Sequence, residues 1–118
     1  MAGEFIYHLA LLREWDAAGS HYDRSTIGMT IEEVGFMHAS TSEQLAGTAQ
    51  LFYADCGEEL VVLVIDPSIL AAMGIDLRYE PIPTGQLFPH VYGALPRAAV
   101  VDVVPAGFDE RGAFELRA

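Results

Sequence analysis

The sequence predicts an α+β fold in a single domain, and three observations lead to this prediction. The chain has 118 residues, its apolar runs have the spacing of strands, and helix-capping signals stand between them. A chain of this length has room for one hydrophobic core. Its hydrophobic share of 52% exceeds what a disordered chain carries. We therefore expect one domain over residues 1–118, with a core from about residue 5 to about residue 105.

The first third of the chain indicates a strand followed by a helix. Residues 5–9 have an apolar-rich, partly alternating pattern that predicts a strand. Apolar residues at helical spacing follow from Leu11 and end before Gly19, a natural helix stop. Residues 20–28 are polar and predict a connection, whereas Thr30 and Glu33 have capping-box spacing and predict a short helical turn.

The helix that the sequence predicts most clearly begins near residue 41. Residues 36–39 predict a second strand, after which Ser40 or Thr41 can cap a helix, with Glu43 or Gln44 three residues later completing the capping box. Apolar side chains then recur on one helical face, which we expect to be buried, at Leu45, Ala49, Phe52 and Tyr53.

The second half of the chain predicts mainly strands. Leu60–Ile65 is apolar at every position, which is typical of a central strand covered on both faces. Asp66 and Pro67 then predict the start of a short helix. Residues 76–80, Leu87–Tyr92 and 99–104 read as further strands, and residues 106–118 as a polar tail or an edge strand at 113–116.

The charge of the chain argues against polyanionic partners. Seventeen acidic residues face six basic ones, all arginines and none clustered in sequence, for a net charge of −11. Nucleic acids and anionic membrane surfaces need basic patches, so we expect neither as a partner. The start of the chain lacks the basic region of a signal peptide, and the longest aliphatic run is too short to cross a bilayer. We expect a cytoplasmic protein.

Three of the four histidines lie in aromatic segments at the ends of predicted strands. A histidine side chain can accept or donate a hydrogen bond, and its protonation state can change near neutral pH. His8 shares a strand face with Ile6 and should point inward, either as a core residue or into a pocket. His90 follows Pro89, which interrupts regular strand pairing as at a cleft rim.

The densest cluster of polar groups is His38, Ser40 and Thr41. The two hydroxyls precede a helix N-terminus, which favours an anion such as a phosphate oxygen, but helix capping alone also explains them. Glu80 is the carboxylate best placed for chemistry, because it ends a predicted strand whose neighbouring residues would hold it rigidly. The ring of Tyr92 either packs within the protein or stacks on a nicotinamide or adenine. A metal site made of three histidines is chemically feasible, but no His-Glu-x-x-His spacing is present.

Five blocks in order resemble a family of small bacterial proteins, catalogued as domain of unknown function 952. The resemblance covers roughly residues 5–105, and its blocks are residues 6–8, 35–41 with Gln44, 63–66, 78–80 and 88–93. This family is thought to be distantly similar to the ADP-ribosyltransferases. That similarity implies a split, mixed or antiparallel sheet with two or three short helices around an NAD cleft.

The ADP-ribosyltransferase resemblance also implies roles for individual residues. His8 matches a ribose-binding position, and His38 with Ser40 and Thr41 a position that supports nicotinamide. Glu80 or His90 would be the acid–base or charge-stabilising group, although Glu80 precedes the block expected to hold it.

Three hypotheses follow from the sequence. The first is a domain that binds NAD or a related nucleotide, with the roles just described. The second is a non-enzymatic module that binds a small ligand in the same cleft. The third is a metal hydrolase that uses His8, His38 and His90 as ligands.

Overall fold

Antiparallel sheets and short helices make up the fold in the computed structural model, which describes residues 4–26 and 28–117. The predictions for residues 1–3, for Ile27 within the 20–28 connection and for Ala118 lie outside the described residues. In chain order the elements are β1 (Ile6–Leu11), α1 (Leu12–Ala17), β2 (His21–Tyr22), β3 (Arg24–Thr26), β4 (Met29–Thr30), α2 (Ile31–Val34), β5 (Met37–His38), α3 (Ser42–Phe52), β6 (Leu60–Ile65), α4 (Pro67–Ala72), β7 (Asp76–Pro81), β8 (Leu87–Tyr92), β9 (Leu95–Pro96), a 3₁₀ turn (Arg97–Ala99), β10 (Val100–Phe108) and β11 (Phe114–Leu116).

The larger sheet has the strand order β1-β6-β10-β11 and is built around β6. Alternate residues of β6 enter two different hydrophobic clusters. Leu63 and Ile65 pack into one, and Leu60 and Val62 into the other. Because successive side chains of a strand point to opposite faces, a strand covered on both faces must be apolar throughout. The predicted central position of Leu60–Ile65 is confirmed.

A second sheet of order β5-β8-β7 carries the candidate site. One face of this sheet is apolar, since Met37 and Val91 are fully buried and belong to the main core. The register places His38 opposite His90 and His90 opposite Arg78, in one row across the three strands. This row lies on the other face, because Met37 and His38 are neighbours in one strand.

The two sheets meet at the segment that follows β5. Ser40 and Tyr7 exchange both backbone hydrogen bonds, at 2.8 and 2.7 Å, which joins this segment to β1. The backbone N–H of Ala39 donates to the oxygen of Pro89 in β8, at 3.0 Å. The aromatic segment around His38 therefore contacts both sheets at once.

Several element boundaries differ from the predictions for a common reason. β1 continues to Leu11, which pairs with Leu60, so α1 begins one residue later than its spacing indicated. The predicted connection at 20–28 contains β2 and β3, and β2 pairs with β9 far along the chain. Such pairing partners are not visible in a local pattern.

The last part of the described chain forms an edge strand, which is one of the two predicted alternatives. β10 runs to Phe108 and pairs with β11, so residues 114–116 form the edge of the larger sheet. Every strand pair among the described residues is antiparallel. Among the helices of the described residues, none has the length and apolar character needed to cross a membrane.

Candidate functional site

His8 lies inside the protein, as its strand position predicted. Its side chain is 2% exposed, and Nδ1 is 2.7 Å from the backbone oxygen of His38. The ring also makes an edge contact with buried Tyr22, with 5.6 Å between the ring centroids. Burial, the largest influence, lowers the pKa of His8 to about 4. His8 is therefore neutral at pH 7 and holds the segment that carries His38.

His90, Glu80 and Tyr92 form a hydrogen-bonded cluster on the sheet of β5, β7 and β8. Nδ1 of His90 lies 2.9 Å from Oε1 of Glu80, and the hydroxyl of Tyr92 donates to the same oxygen. The hydrogen bonds from Tyr92 and then His90 lower the pKa of Glu80, and the Glu80 bond raises the pKa of Tyr92. Glu80 is therefore ionised near neutral pH and accepts both bonds.

Two further side chains enclose this cluster. The ring of Phe36 stacks on His90, with the ring centroids 3.9 Å apart and 20° between the ring planes. The guanidinium of Arg78 lies over the ring of Tyr92, with its carbon 4.5 Å from the centroid. His90 is consequently only 5% exposed, and its Nε2 has no hydrogen-bond partner in the described part of the chain.

His38 stands between this cluster and an open cleft. Its ring centroid is 5.4 Å from that of His90 and 5.1 Å from that of Phe88. Burial and, to a smaller extent, the neighbouring His90 lower the pKa of His38 to about 4. A neutral, half-buried imidazole at the wall of a cleft can donate or accept a hydrogen bond from a bound molecule.

The cleft lies between helix α3 and the turn that joins β7 to β8, and its volume is about 670 Å³. His38 lines it together with mostly apolar or uncharged residues from both elements. The lining residues are Glu43, Gln44, Gly47, Thr48, Leu51, Phe52, Ile82, Pro83, Thr84, Gln86 and Phe88. Pockets of a few hundred Å³ with apolar walls and a few polar groups are typical small-molecule sites.

Ser40 and Thr41, predicted to bind a cofactor, take structural positions. Ser40 is 2% exposed, and its hydroxyl lies 3.1 Å from that of Thr48. Thr41 is the N-cap residue of α3, and its backbone N–H donates to Oε1 of Gln44 at 3.0 Å. The Nε2 of Gln44 donates to the backbone oxygen of Leu87 at 2.7 Å, which fixes α3 to β8 across one end of the cleft.

Apart from Ser40 and Thr41, the predicted site residues separate into two groups. His38, His90, Glu80 and Tyr92 converge on one face of the smaller sheet, whereas His8 approaches His38 from the core through a backbone contact. Within residues 4–26 and 28–117, no group of three or more His, Cys, Asp or Glu side chains could hold a metal ion. The geometry gives the three-histidine metal hydrolase no support.

Some residues of the site were not singled out by the sequence. Phe36 covers His90, and Leu51 and Phe52 form the cleft wall on α3. For Leu51 a sequence signal was available, because it is an apolar residue outside the predicted buried face of α3. Phe52 belongs to the predicted buried face of α3 but is 51% exposed, so that part of the prediction is wrong.

Comparison with known proteins identifies the family. Residues 9–103 match the family described as "Protein of unknown function (DUF952)". The chain belongs to this family. The match lies within the 5–105 region in which the resemblance was predicted, and that part of the prediction is confirmed.

Solved structures of protein CC0527 from Caulobacter crescentus resemble this chain. A crystal structure is 28% identical in sequence and has a TM-score of 0.79, and the alignment covers 94% of this chain and 93% of the CC0527 chain. A solution NMR structure is 29% identical, has a TM-score of 0.73, and covers 92% and 90%. No curated protein matches the chain. The relationship to ADP-ribosyltransferases stays a prediction.

Proposed function

We propose that this protein binds a small, ring-bearing molecule in the cleft between α3 and the β7–β8 turn, with His38 as its hydrogen-bonding partner. The observation that carries the proposal is the cleft itself. Its volume of about 670 Å³ lies within the range of ligand pockets. Aromatic and aliphatic side chains from both walls, including Phe52, Phe88 and Ile82, offer surfaces for an apolar ring.

The charges around the cleft favour a neutral or cationic ligand. Glu43 is the carboxylate among the described residues that line the cleft, and none of the six arginines lines it. His38 is neutral at pH 7, because burial lowers its pKa to about 4. A phosphate in the cleft would therefore lack a cationic partner.

NAD, implied by the family resemblance, is the first nucleotide to test under this proposal. Its nicotinamide ring is flat and cationic, and its carboxamide can exchange hydrogen bonds with His38. Because no arginine lines the cleft, its pyrophosphate would have to lie outside the cleft. His8 and Ser40 are buried and already hydrogen-bonded, so in this arrangement they support His38 and do not touch the ribose.

Isothermal titration with nicotinamide, NAD and ADP-ribose tests the proposal. We expect nicotinamide and NAD to bind, and ADP-ribose, which keeps adenine but lacks the nicotinamide ring, to bind at least about tenfold more weakly. Leu51→Asp places a charge in the apolar wall and should weaken nicotinamide binding about tenfold or more. Leu51 is 75% exposed, so this substitution should leave the fold intact.

Leu116→Asp is the matched control, because Leu116 is 56% exposed and does not line the cleft. This variant should bind as the wild-type protein does. Equal affinities for wild type and Leu51→Asp, or no binding of nicotinamide and NAD, would overturn the proposal. NAD turnover measured in the same samples separates the two remaining hypotheses, since binding without turnover is expected of a non-enzymatic module.

A further inference from the structure

We propose that Glu80, His90 and His38 form a hydrogen-bonded relay that ends in the cleft and makes it a general-base site for neutral esters. The inference rests on the proposed function, because the substrate would be the ring-bearing molecule held in the cleft. His38 would be the catalytic residue, since it lines the cleft. Glu80 and His90 would be positioning residues that act through it.

The hydrogen bond to Glu80 fixes which nitrogen of His90 carries the proton. Its Nδ1 lies 2.9 Å from Oε1 of Glu80, and an ionised carboxylate only accepts hydrogen bonds. Nδ1 therefore carries the proton, and in the neutral ring Nε2 carries a lone pair. The hydroxyl of Tyr92 donates to the same Glu80 oxygen and holds the carboxylate in place. Carboxylates orient catalytic imidazoles in this way in many hydrolases.

The second ring nitrogen of His90, Nε2, needs a hydrogen-bond donor. Nε2 is buried, and within the described residues it has no hydrogen-bond partner. A buried polar atom without a partner costs free energy, so such atoms are uncommon in proteins. The ring of His38, with its centroid 5.4 Å away, is a neighbouring group that can supply a donor. This separation leaves room for an N–H···N bond of about 2.9 Å after a rotation of the His38 ring.

Both ring nitrogens of His38 are available for new hydrogen bonds. No hydrogen bond to either ring nitrogen of His38 is formed within residues 4–26 and 28–117. If one nitrogen donates to Nε2 of His90, the other nitrogen carries a lone pair and faces the molecule in the cleft. Burial and the imidazole of His90 lower the pKa of His38 where this bond is not formed. Once the bond forms, the carboxylate of Glu80 acts through His90 against that effect and stabilises the positive charge on His38.

The reaction needs water as its single co-reactant. An O–H bond of a water molecule breaks, its proton forms an N–H bond on His38, and the electron pair left on oxygen attacks the ester carbonyl. The carbon–oxygen bond to the leaving group then breaks, and the leaving alkoxide or phenolate takes the proton from His38. The imidazole is neutral again at the end. A neutral aryl ester fits the apolar, arginine-free walls of the cleft.

Hydrolysis of 4-nitrophenyl acetate tests the relay. The wild-type protein should hydrolyse it with saturation kinetics, and His38→Ala should lower kcat about a hundredfold, within the usual contribution of a general base. His21→Ala is the control, because this exposed histidine lies outside the cleft and should leave the rate unchanged. Equal rates for the wild type, His38→Ala and His21→Ala would overturn the relay.

Glu80→Gln distinguishes a positioning role from a structural one. It should lower kcat at least about threefold with little change in KM, and ¹⁵N NMR of the imidazoles should show His90 losing its preference for the Nδ1–H form. An unchanged kcat, or an unchanged His90 form, would contradict the proposal. Nicotinamide titration of the same samples distinguishes a failure of the relay from a failure of the proposed binding function. If nicotinamide binds but hydrolysis is the same in all variants, the relay is wrong and the binding function still stands.

Discussion

Nδ1 of His8 lies 2.7 Å from the backbone oxygen of His38, and this hydrogen bond links the core of the larger sheet to the candidate site. A carbonyl oxygen only accepts, so Nδ1 of His8 carries the proton. The other nitrogen, Nε2, is buried without a partner among the described residues. A second proton would therefore place an uncompensated charge in the core, and burial accordingly lowers the pKa of His8 to about 4.

The first prediction is that His8 makes the protein less stable in mild acid. An unfolded histidine has a pKa of about 6.5, so below that pH the unfolded chain binds a proton that the folded chain does not. The free energy of unfolding should fall by about 3 kcal/mol from this residue as the pH drops from 6.5 to 4, and remain level below that. Urea unfolding at a series of pH values measures it.

The variant for this prediction is His8→Asn, whose amide can still donate to the oxygen of His38 but does not titrate. Its unfolding free energy should depend less steeply on pH over the same interval. His21→Asn makes the same substitution at an exposed histidine and serves as the control. Parallel curves for His8→Asn and wild type would show that His8 does not titrate as its burial requires.

The second prediction concerns the central strand. Leu63→Ala removes a fully buried side chain in β6 and should lower the free energy of unfolding by about 2–5 kcal/mol, because a cavity remains in the core. Leu51→Ala makes the same chemical change at a position that is 75% exposed and should cost less than about 0.5 kcal/mol. Denaturant unfolding of both variants measures the difference, and similar losses would be inconsistent with β6 as the centre of the core.

The third prediction concerns the attachment of α3. Gln44→Ala removes the acceptor for the Thr41 N–H and the donor to the oxygen of Leu87, so we expect a loss of about 1–2 kcal/mol in unfolding free energy. Thermal unfolding measures the loss. Ser42→Ala, an exposed change in the same helical turn, should have a smaller effect. Equal effects would mean that the Gln44 contacts do not hold the helix to β8.

The fold could be predicted best where a signal is local. The uninterrupted apolar run of β6 and the capping-box spacing before α3 each depend on residues close in sequence, and both predictions agree with the structure. The strand β2 could not be predicted, because it exists through pairing with β9 in the second half of the chain. Two-residue strands have no periodicity of their own to detect.

The site was predictable in its residue types but not in its geometry. The buried position of His8 followed from strand alternation with Ile6. The contact of Glu80 with His90 and Tyr92 depends on the register between β7 and β8, which places Glu80 opposite Phe88. No sequence pattern fixes that register. The contact of Phe36 with His90 depends likewise on the pairing of β5 with β8.

The last prediction concerns the carboxylate of Glu80. Tyr92→Phe removes the hydroxyl that donates to the charged form of Glu80, which is the largest influence lowering its pKa. We therefore expect the pKa of Glu80 to rise towards the value of an ordinary glutamate, while the remaining bond from His90 keeps it below that value. Titration of the side-chain carboxyl carbon by ¹³C NMR measures the change.

Tyr79→Phe is the matched control for this measurement. Tyr79 precedes Glu80 in β7, so its side chain points to the other side of the strand, and it is half-exposed. Removing its hydroxyl should leave the titration of Glu80 unchanged. If Tyr92→Phe also left that titration unchanged, the tyrosine would not donate to Glu80 in solution. The carboxylate would then be held by His90 alone, and the relay would have lost one of the two contacts that fix its outer end.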